Sequence, residues 1–146
     1  MSFQAFNHSV NVIAYNKLGK KYGMTCAWAM QVDYDKIIML LGSQSVTGKT
    51  LEKGDIVGVS ALSKDQIDVA FKLGDNHSDT VDKFKGIEVI EDGSAILIKN
   101  STRIMKARVI DILHLEKIEV DNLVYLEIIE SKENGNDFLN MNDIRW

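Results

Sequence analysis

Proline is absent from this 146-residue sequence. At the ordinary usage of about 5%, roughly seven would be expected. Proline-rich linkers, polyproline II ligands and X-Pro isomerisation switches are therefore excluded, and turns must be made by glycine, Asn and Asp. A single cysteine, Cys26, allows no internal disulfide, and the three scattered histidines His8, His77 and His114 lack zinc-site spacing with it. The longest clean apolar run, Ile37 to Leu41, is far short of the ~20 residues of a membrane-spanning helix. Met1-Ser2-Phe3-Gln4-Ala5-Phe6 has neither the basic nor the apolar region of a signal peptide, so the expected location is cytoplasmic. An excess of positive charge is also missing: 17 Lys and Arg against 21 Asp and Glu leave a net charge of −4. Neither nucleic acid nor a membrane is an expected partner.

What remains is the composition of an ordinary folded domain, 45% apolar and 26% charged. A chain of this length buries roughly 68–70% of its unfolded surface, enough for a core without disulfides or metal. With no linker and no internal repeat, residues 1–146 read as one domain whose tail, from about residue 134, is irregular.

Alternating and apolar segments predict strands over Val10 to Tyr15 and Tyr22 to Val32, joined by the turn Lys17-Leu18-Gly19-Lys20, then over Ile37 to Leu41 and Ile56 to Leu62. Later strands are expected at Ala95 to Lys99, Ile104 to Leu115 and Leu123 to Ser131. The alternation of the Ile104 strand slips near Ile110-Asp111, which predicts a bulge. Leu123 to Ile129 is apolar on both faces and calls for a second layer or a second subunit.

Ser63-Lys64-Asp65-Gln66 has capping-box spacing, and Ile67, Ala70 and Phe71 form a stripe at i, i+3, i+4. A helix is expected there, with an Asp68–Lys72 pair on its outer face and Gly74 just past its end. A shorter helix is expected over Val46 to Lys53, ending at Gly54.

The stretch from Ile37 to Thr50 imitates a Walker A motif in its order of strand, glycine loop and helix. Five residues separate Gly42 from Gly48, however, where the motif has four. The βαβ units of such a fold are also missing. An anion still suits this segment, because Ser45 and Thr47 place hydroxyls at a helix start and Lys49 lies one turn in. The alternative is that one hydroxyl only caps the helix.

Four stretches, in order, carry a resemblance. Gly23-Met24-Thr25-Cys26-Ala27-Trp28 resembles the Gly-Met-Thr-Ala-Ser/Ala-Trp signature of the flavin reductase-like, FMN-binding split-barrel family, which includes flavoredoxin-like proteins. Leu41-Gly42-Ser43-Gln44-Ser45-Val46-Thr47 is similar to that family's phosphate loop. Gly58 to Gln66 resembles its strand-to-helix step, and Ser78 to Phe84 its Asp-Lys-Phe segment.

The resemblance implies a mainly β fold, a six-stranded antiparallel Greek-key split barrel with short peripheral α-helices, binding FMN non-covalently. It also implies a homodimer with the flavin near the subunit interface. Carried over by motif, Thr25, Cys26 and Ala27 would line the isoalloxazine edge through backbone N–H groups and the Thr25 hydroxyl. Ser45 and Thr47 would hold the phosphate with backbone from Ser43 and Gln44, and Lys49 and Lys83 would add charge. Trp28 would stack on or shield the flavin, or belong to the core. Cys26 reads as a small buried side chain rather than a redox thiol, and Lys83 and His77 read equally as solvated residues.

The activity implied is that of a flavin reductase-type oxidoreductase, moving hydride from NAD(P)H through FMN to free flavin or another acceptor. Three departures qualify it. Val46 stands where the family often has arginine. Val120-Asp121-Asn122 replaces a Gly-Asp-His associated with nicotinamide, which leaves an electron carrier fed by a redox partner protein, without its own nicotinamide site, as the alternative. Asp33-Tyr34-Asp35-Lys36 stands where relatives carry prolines, and a looser corner is expected there.

Overall fold

The computed structural model describes residues 5–42, 50–75, 84–117, 122–135 and 137–144. Nine strands form one antiparallel sheet: β1 (Asn11–Lys17), β2 (Lys20–Cys26), β3 (Ala29–Asp33), β4 (Lys36–Leu41), β5 (Ile56–Ala61), β6 (Val89–Asp92), β7 (Ala95–Ile98), β8 (Arg103–Leu113) and β9 (Asn122–Glu133). One α-helix, α1 (Ile67–Asp75), and the 3-10 turns Lys64–Gln66 and Met141–Asp143 complete the described elements. None of the described helices is long and apolar enough to cross a membrane.

Six of these strands make the barrel. The ladder runs β2-β1-β5-β8-β9-β4. Among the described residues β4 and β2 share no ladder; they meet where the Leu40 N–H donates to the Trp28 carbonyl at 2.8 Å and the Cys26 thiol reaches the Leu40 carbonyl at 3.5 Å. This seam is the split. The inward residues Ile13, Met39, Val59, Ala107, Val109, Val124 and Leu126 fill the interior, all drawn from the barrel strands. The six-strand expectation thus describes the barrel, whereas the sheet has nine strands among the described residues: β3 extends β4, and the hairpin of β6 and β7 is laid against the end of β1.

β1 is buried on both faces because the outer face of its alternation has its own cover. Val10, Val12 and Ala14 pack with Ala70 and Leu73 of α1, Ile96 and Ile98 of β7, and Leu139 and Ile144 of the tail. The tail is therefore anchored: the Val10 N–H donates to the Leu139 carbonyl and the Leu139 N–H to the Leu62 carbonyl, both at 2.8 Å.

Local expectations fare unevenly. The β1–β2 turn lies at Leu18-Gly19, both at positive φ, as a tight hairpin demands. The ladder of β8 with β9 shifts register between Val109 and Asp111, where the bulge was expected, and again between Lys106 and Ala107. At the helix start the Ser63 N–H donates to Gln66 Oε1 at 3.0 Å. Gly74 lies inside α1 rather than beyond it. The Lys72 ammonium donates to the Lys85 carbonyl.

The expected Tyr22 to Val32 strand is broken at Ala27-Trp28, where the chain leaves β1 and passes to β4. Of the expected Val46 to Lys53 helix, residues 46–49 lie outside the described residues; Thr50 is helical and Leu51 to Lys53 are not. The corner at Asp33 to Lys36 turns without proline and is tied by hydrogen bonds. Gln31 Nε2 donates to the Asp33 carbonyl at 3.0 Å, and the Ile128 N–H donates to the Asp35 carbonyl at 2.7 Å.

Candidate functional site

The seam positions the signature stretch. Thr25, next to last in β2, has its side chain toward α1, and its hydroxyl donates to the Ala70 carbonyl at 2.7 Å. That proton is engaged within the protein, so Thr25 can offer a ligand its hydroxyl lone pairs but not this hydrogen. Cys26 faces the interior, 4% exposed, with its thiol directed at the Trp28 and Leu40 carbonyls. Burial pushes that thiol up to about 12 from its ordinary 9.0, which makes it a packed side chain and not a nucleophile.

Ala27 and Trp28 carry the chain across the seam outside any strand. Their carbonyls accept from Ala29 and Leu40, while among the described residues no acceptor takes the N–H of either. Trp28 is 49% exposed and meets His8 edge to face at 4.9 Å between ring centroids. It is therefore not core, because the broken strand turns it outward.

Three other sequence motifs converge on β2. α1, which follows the Ser63 to Gln66 step, receives the Thr25 hydroxyl. Phe84, the last residue of the Asp-Lys-Phe segment, lies over Gly23: a Cβ placed on Gly23 would stand 2.5 Å from Phe84 Cζ. β4, which leads into the 43–49 stretch, is bonded to Trp28 through Leu40, and Leu41 pairs with Asn122 of β9. Ser43, Gln44, Ser45, Thr47, Lys49 and Lys83 themselves lie outside the described residues, as does His77. Asn122 is buried at 8% exposure.

Two groups escaped the motif reading. A cavity of about 560 Å³ opens at the barrel mouth below the seam, within the size range of small-molecule sites. Met39, Val59 and Met105 line its interior, with Asn11, Gln31 and Arg103 among its polar residues. Arg103 is held by Ser131 at 2.7 Å and Glu133 at 3.0 Å. Asn11, Arg103 and Met105 lie outside every motif, and only the inward alternation of their strands would have found them. The second group, at the opposite end, joins Tyr15 and Lys17 to Thr50. Its one sequence signal is a tyrosine at an inward position of β1, two residues after Ile13.

The sequence matches the family profile described as "Flavin reductase like domain" over residues 3–144. The chain belongs to this family. Solved structures of similar fold include the NADH:FAD oxidoreductase SgcE6 of Streptomyces globisporus C-1027, at 20% identity and TM-score 0.77, covering 88% of this chain and 76% of that one. The flavin reductase PheA2 aligns at 21% identity and TM-score 0.76, covering 92% and 85%. Flavoredoxin from Methanosarcina acetivorans aligns at 20% identity and TM-score 0.77, covering 89% and 70%. No curated protein matches the sequence. At these identities the structural likeness establishes the split-barrel fold, and the family match makes the chain a flavin reductase-like domain. The described residues suit a flavin edge: two adjacent backbone donors lie beside a half-exposed indole.

Proposed function

We propose that this domain binds FMN non-covalently along the seam and works as an NAD(P)H-dependent flavin reductase-type oxidoreductase in the cytoplasm. When bound, FMN would supply the redox chemistry, accepting hydride from NAD(P)H and delivering electrons to free flavin or another acceptor. The observation that carries the reading is the pair of N–H groups at Ala27 and Trp28 that no acceptor takes among the described residues, where the family motifs converge.

The chain's own residues would bind and orient. Successive backbone N–H groups donate without a proton of their own to lose, so they hold acceptor atoms of a ring at any working pH. Thr25, fixed by Ala70, and buried Cys26 hold that backbone in place. Trp28 would cover one side of the ring and exclude water. Ser43, Gln44, Ser45 and Thr47 would hold the phosphate, with Lys49 and Lys83 supplying the charge that Val46 does not. The Streptomyces neighbour has been solved with NAD and FAD fragments, which supports a nicotinamide and a flavin for this chain as well.

Asn122 favours a second reading, an electron carrier like flavoredoxin that takes electrons from a redox partner protein. A buried carboxamide replaces the expected histidine there and cannot exchange a proton near neutral pH.

Visible spectra of the purified protein before and after FMN addition test the shared part. A bound yellow flavin is expected, and a colourless protein after reconstitution would overturn both readings. Anaerobic mixing with NADH or NADPH then separates them. Prompt bleaching is expected of the reductase, and none of the carrier.

A further inference from the structure

The inward rows of the barrel strands do not stay apolar to the open mouth. Register sets Ile13, Val59 and Met105 in one row across β1, β5 and β8, and Asn11, Ala61 and Arg103 in the next. The first row packs in the barrel interior. Residues two apart on a strand share a face, so Asn11 and Arg103 are inward too. Both line the cavity of about 560 Å³ whose wall includes Met39, Val59 and Met105.

The polar groups of this mouth differ in what they have left to give. The Asn11 carboxamide donates to the Ser9 and Cys26 carbonyls at 3.3 and 3.2 Å and accepts the Ser9 hydroxyl at 3.2 Å. Gln31 spends its amide donors on the Asp33 and Tyr34 carbonyls. A guanidinium carries five N–H donors. Arg103 gives one from Nη1 to Ser131 and one from Nη2 to Glu133, which leaves the rest for a ligand. Glu133 does not line the cavity, and among the described lining residues there is no Asp, Glu or Lys. An inward arginine above an apolar wall suits a molecule with an apolar body and one anionic end. A cation would find no carboxylate there.

We propose that this cavity binds a small apolar carboxylate, its hydrocarbon part against Met39, Val59 and Met105 and its carboxylate on the remaining donors of Arg103. Neither Thr25, Ala27 nor Trp28 lines the cavity, so the site is separate from the flavin edge and does not depend on FMN. The two are neighbours all the same. Asn11 holds the Cys26 carbonyl, and the lining residue Ala29 donates its N–H to the Ala27 carbonyl at 3.0 Å.

Calorimetric titration with phenylbutyrate, phenylbutanol and phenylbutylamine compares one apolar body carrying an anionic, a neutral and a cationic end. Wild type is expected to bind the acid saturably, the alcohol about tenfold more weakly for want of a charge-assisted hydrogen bond, and the amine not at all. Arg103→Gln should weaken the acid about tenfold and leave the alcohol within about twofold, which shows the cavity intact. Ala61→Leu, which narrows the mouth beside Arg103, should weaken acid and alcohol together; if it folds poorly, by its thermal midpoint, the glutamine variant at the rim decides alone. No saturable binding of the acid, equal binding of all three probes, or an affinity for the acid that Arg103→Gln leaves unchanged overturns the carboxylate site. The titration is repeated with FMN present, where undiminished binding of the acid is expected. Displacement by FMN would make the cavity part of the flavin site and overturn its separate role, whereas a protein that binds the acid and no FMN overturns the flavin reading alone.

Discussion

Cys26 stands in the middle of the signature stretch, yet its thiol faces the apolar barrel interior and donates only toward the Trp28 and Leu40 carbonyls. The folded state favours its protonated form, with the pKa at about 12 against an ordinary 9.0. The sign follows directly: its contribution to stability is whole below pH 9 and is lost as pH rises from 9 toward 12, at up to about 1.4 kcal/mol per pH unit. Urea unfolding of wild type and Cys26→Ala at pH 8 and pH 10.5, with reductant present, should show wild type losing about 2 kcal/mol more across that interval. Parallel losses in the two proteins would contradict this. Iodoacetamide at pH 8 should leave the folded thiol unmodified and label it promptly in urea. The placement of Cys26 was legible in its sequence neighbourhood, since a small residue in an alternating strand has an inward partner. That of Trp28 was not, because the strand break that turns it outward comes from the crossing of the seam, a long-range event that local periodicity does not record.

At the scale of elements, the motifs prove to be contacts. Gly23 belongs to β2 and Phe84 to a distant segment, but the ring lies where a Gly23 side chain would be. Gly23→Ala should therefore cost about 1–3 kcal/mol by overpacking, and Phe84→Leu in the same chain should recover part of it, a coupling that a double-mutant cycle of denaturation midpoints measures. Simple additivity of the two losses would show that the ring moves aside freely. Gly58→Ala offers the contrast. Its Cβ would meet the Ile96 carbonyl oxygen at 2.0 Å, a backbone atom that no side-chain change relieves. The strands of the barrel were readable because their apolar residues alternate, and the bulge at Val109 to Asp111 was readable because the alternation slips. β6, with Glu91 and Asp92 in four residues, carried no such pattern; it is held by pairing with β7. The bond of Tyr15 to Thr50 was hidden for a related reason, since the two residues are 35 apart in sequence.

For the whole molecule, the outward face of the β3-β4-β9-β8 sheet poses the remaining question. Register places Met30, Ile38 and Tyr125 in one row and Leu40, Leu123 and Leu113 in the next, all on the face away from the barrel interior. Met30 is 53% exposed, and Trp28 stands at the edge of the same face. This explains the double apolarity of β9: Val124 and Leu126 fill the barrel, while Leu123 and Tyr125 look outward. At one end the face is bounded by charges, Lys36 and Arg108 both pairing with Glu127 at 3.7 and 3.5 Å. An apolar centre with a charged rim is the composition of a protein interface. A two-fold axis through it would bring the seams of two subunits near one another. We therefore expect wild type to sediment as a homodimer and Ile38→Asp with Tyr125→Lys to sediment as a monomer, with the visible spectrum of added FMN reporting whether flavin is lost as well. Leu18→Lys, at a fully exposed hairpin tip on β1–β2, should change neither. A monomeric wild type would exclude the interface. A dimer unaffected by the paired substitution would move it to another face. If the variant is monomeric and still binds FMN as tightly as wild type, each seam holds its flavin alone and dimerisation serves stability, since burying this face removes apolar surface from water whether or not a ligand is present.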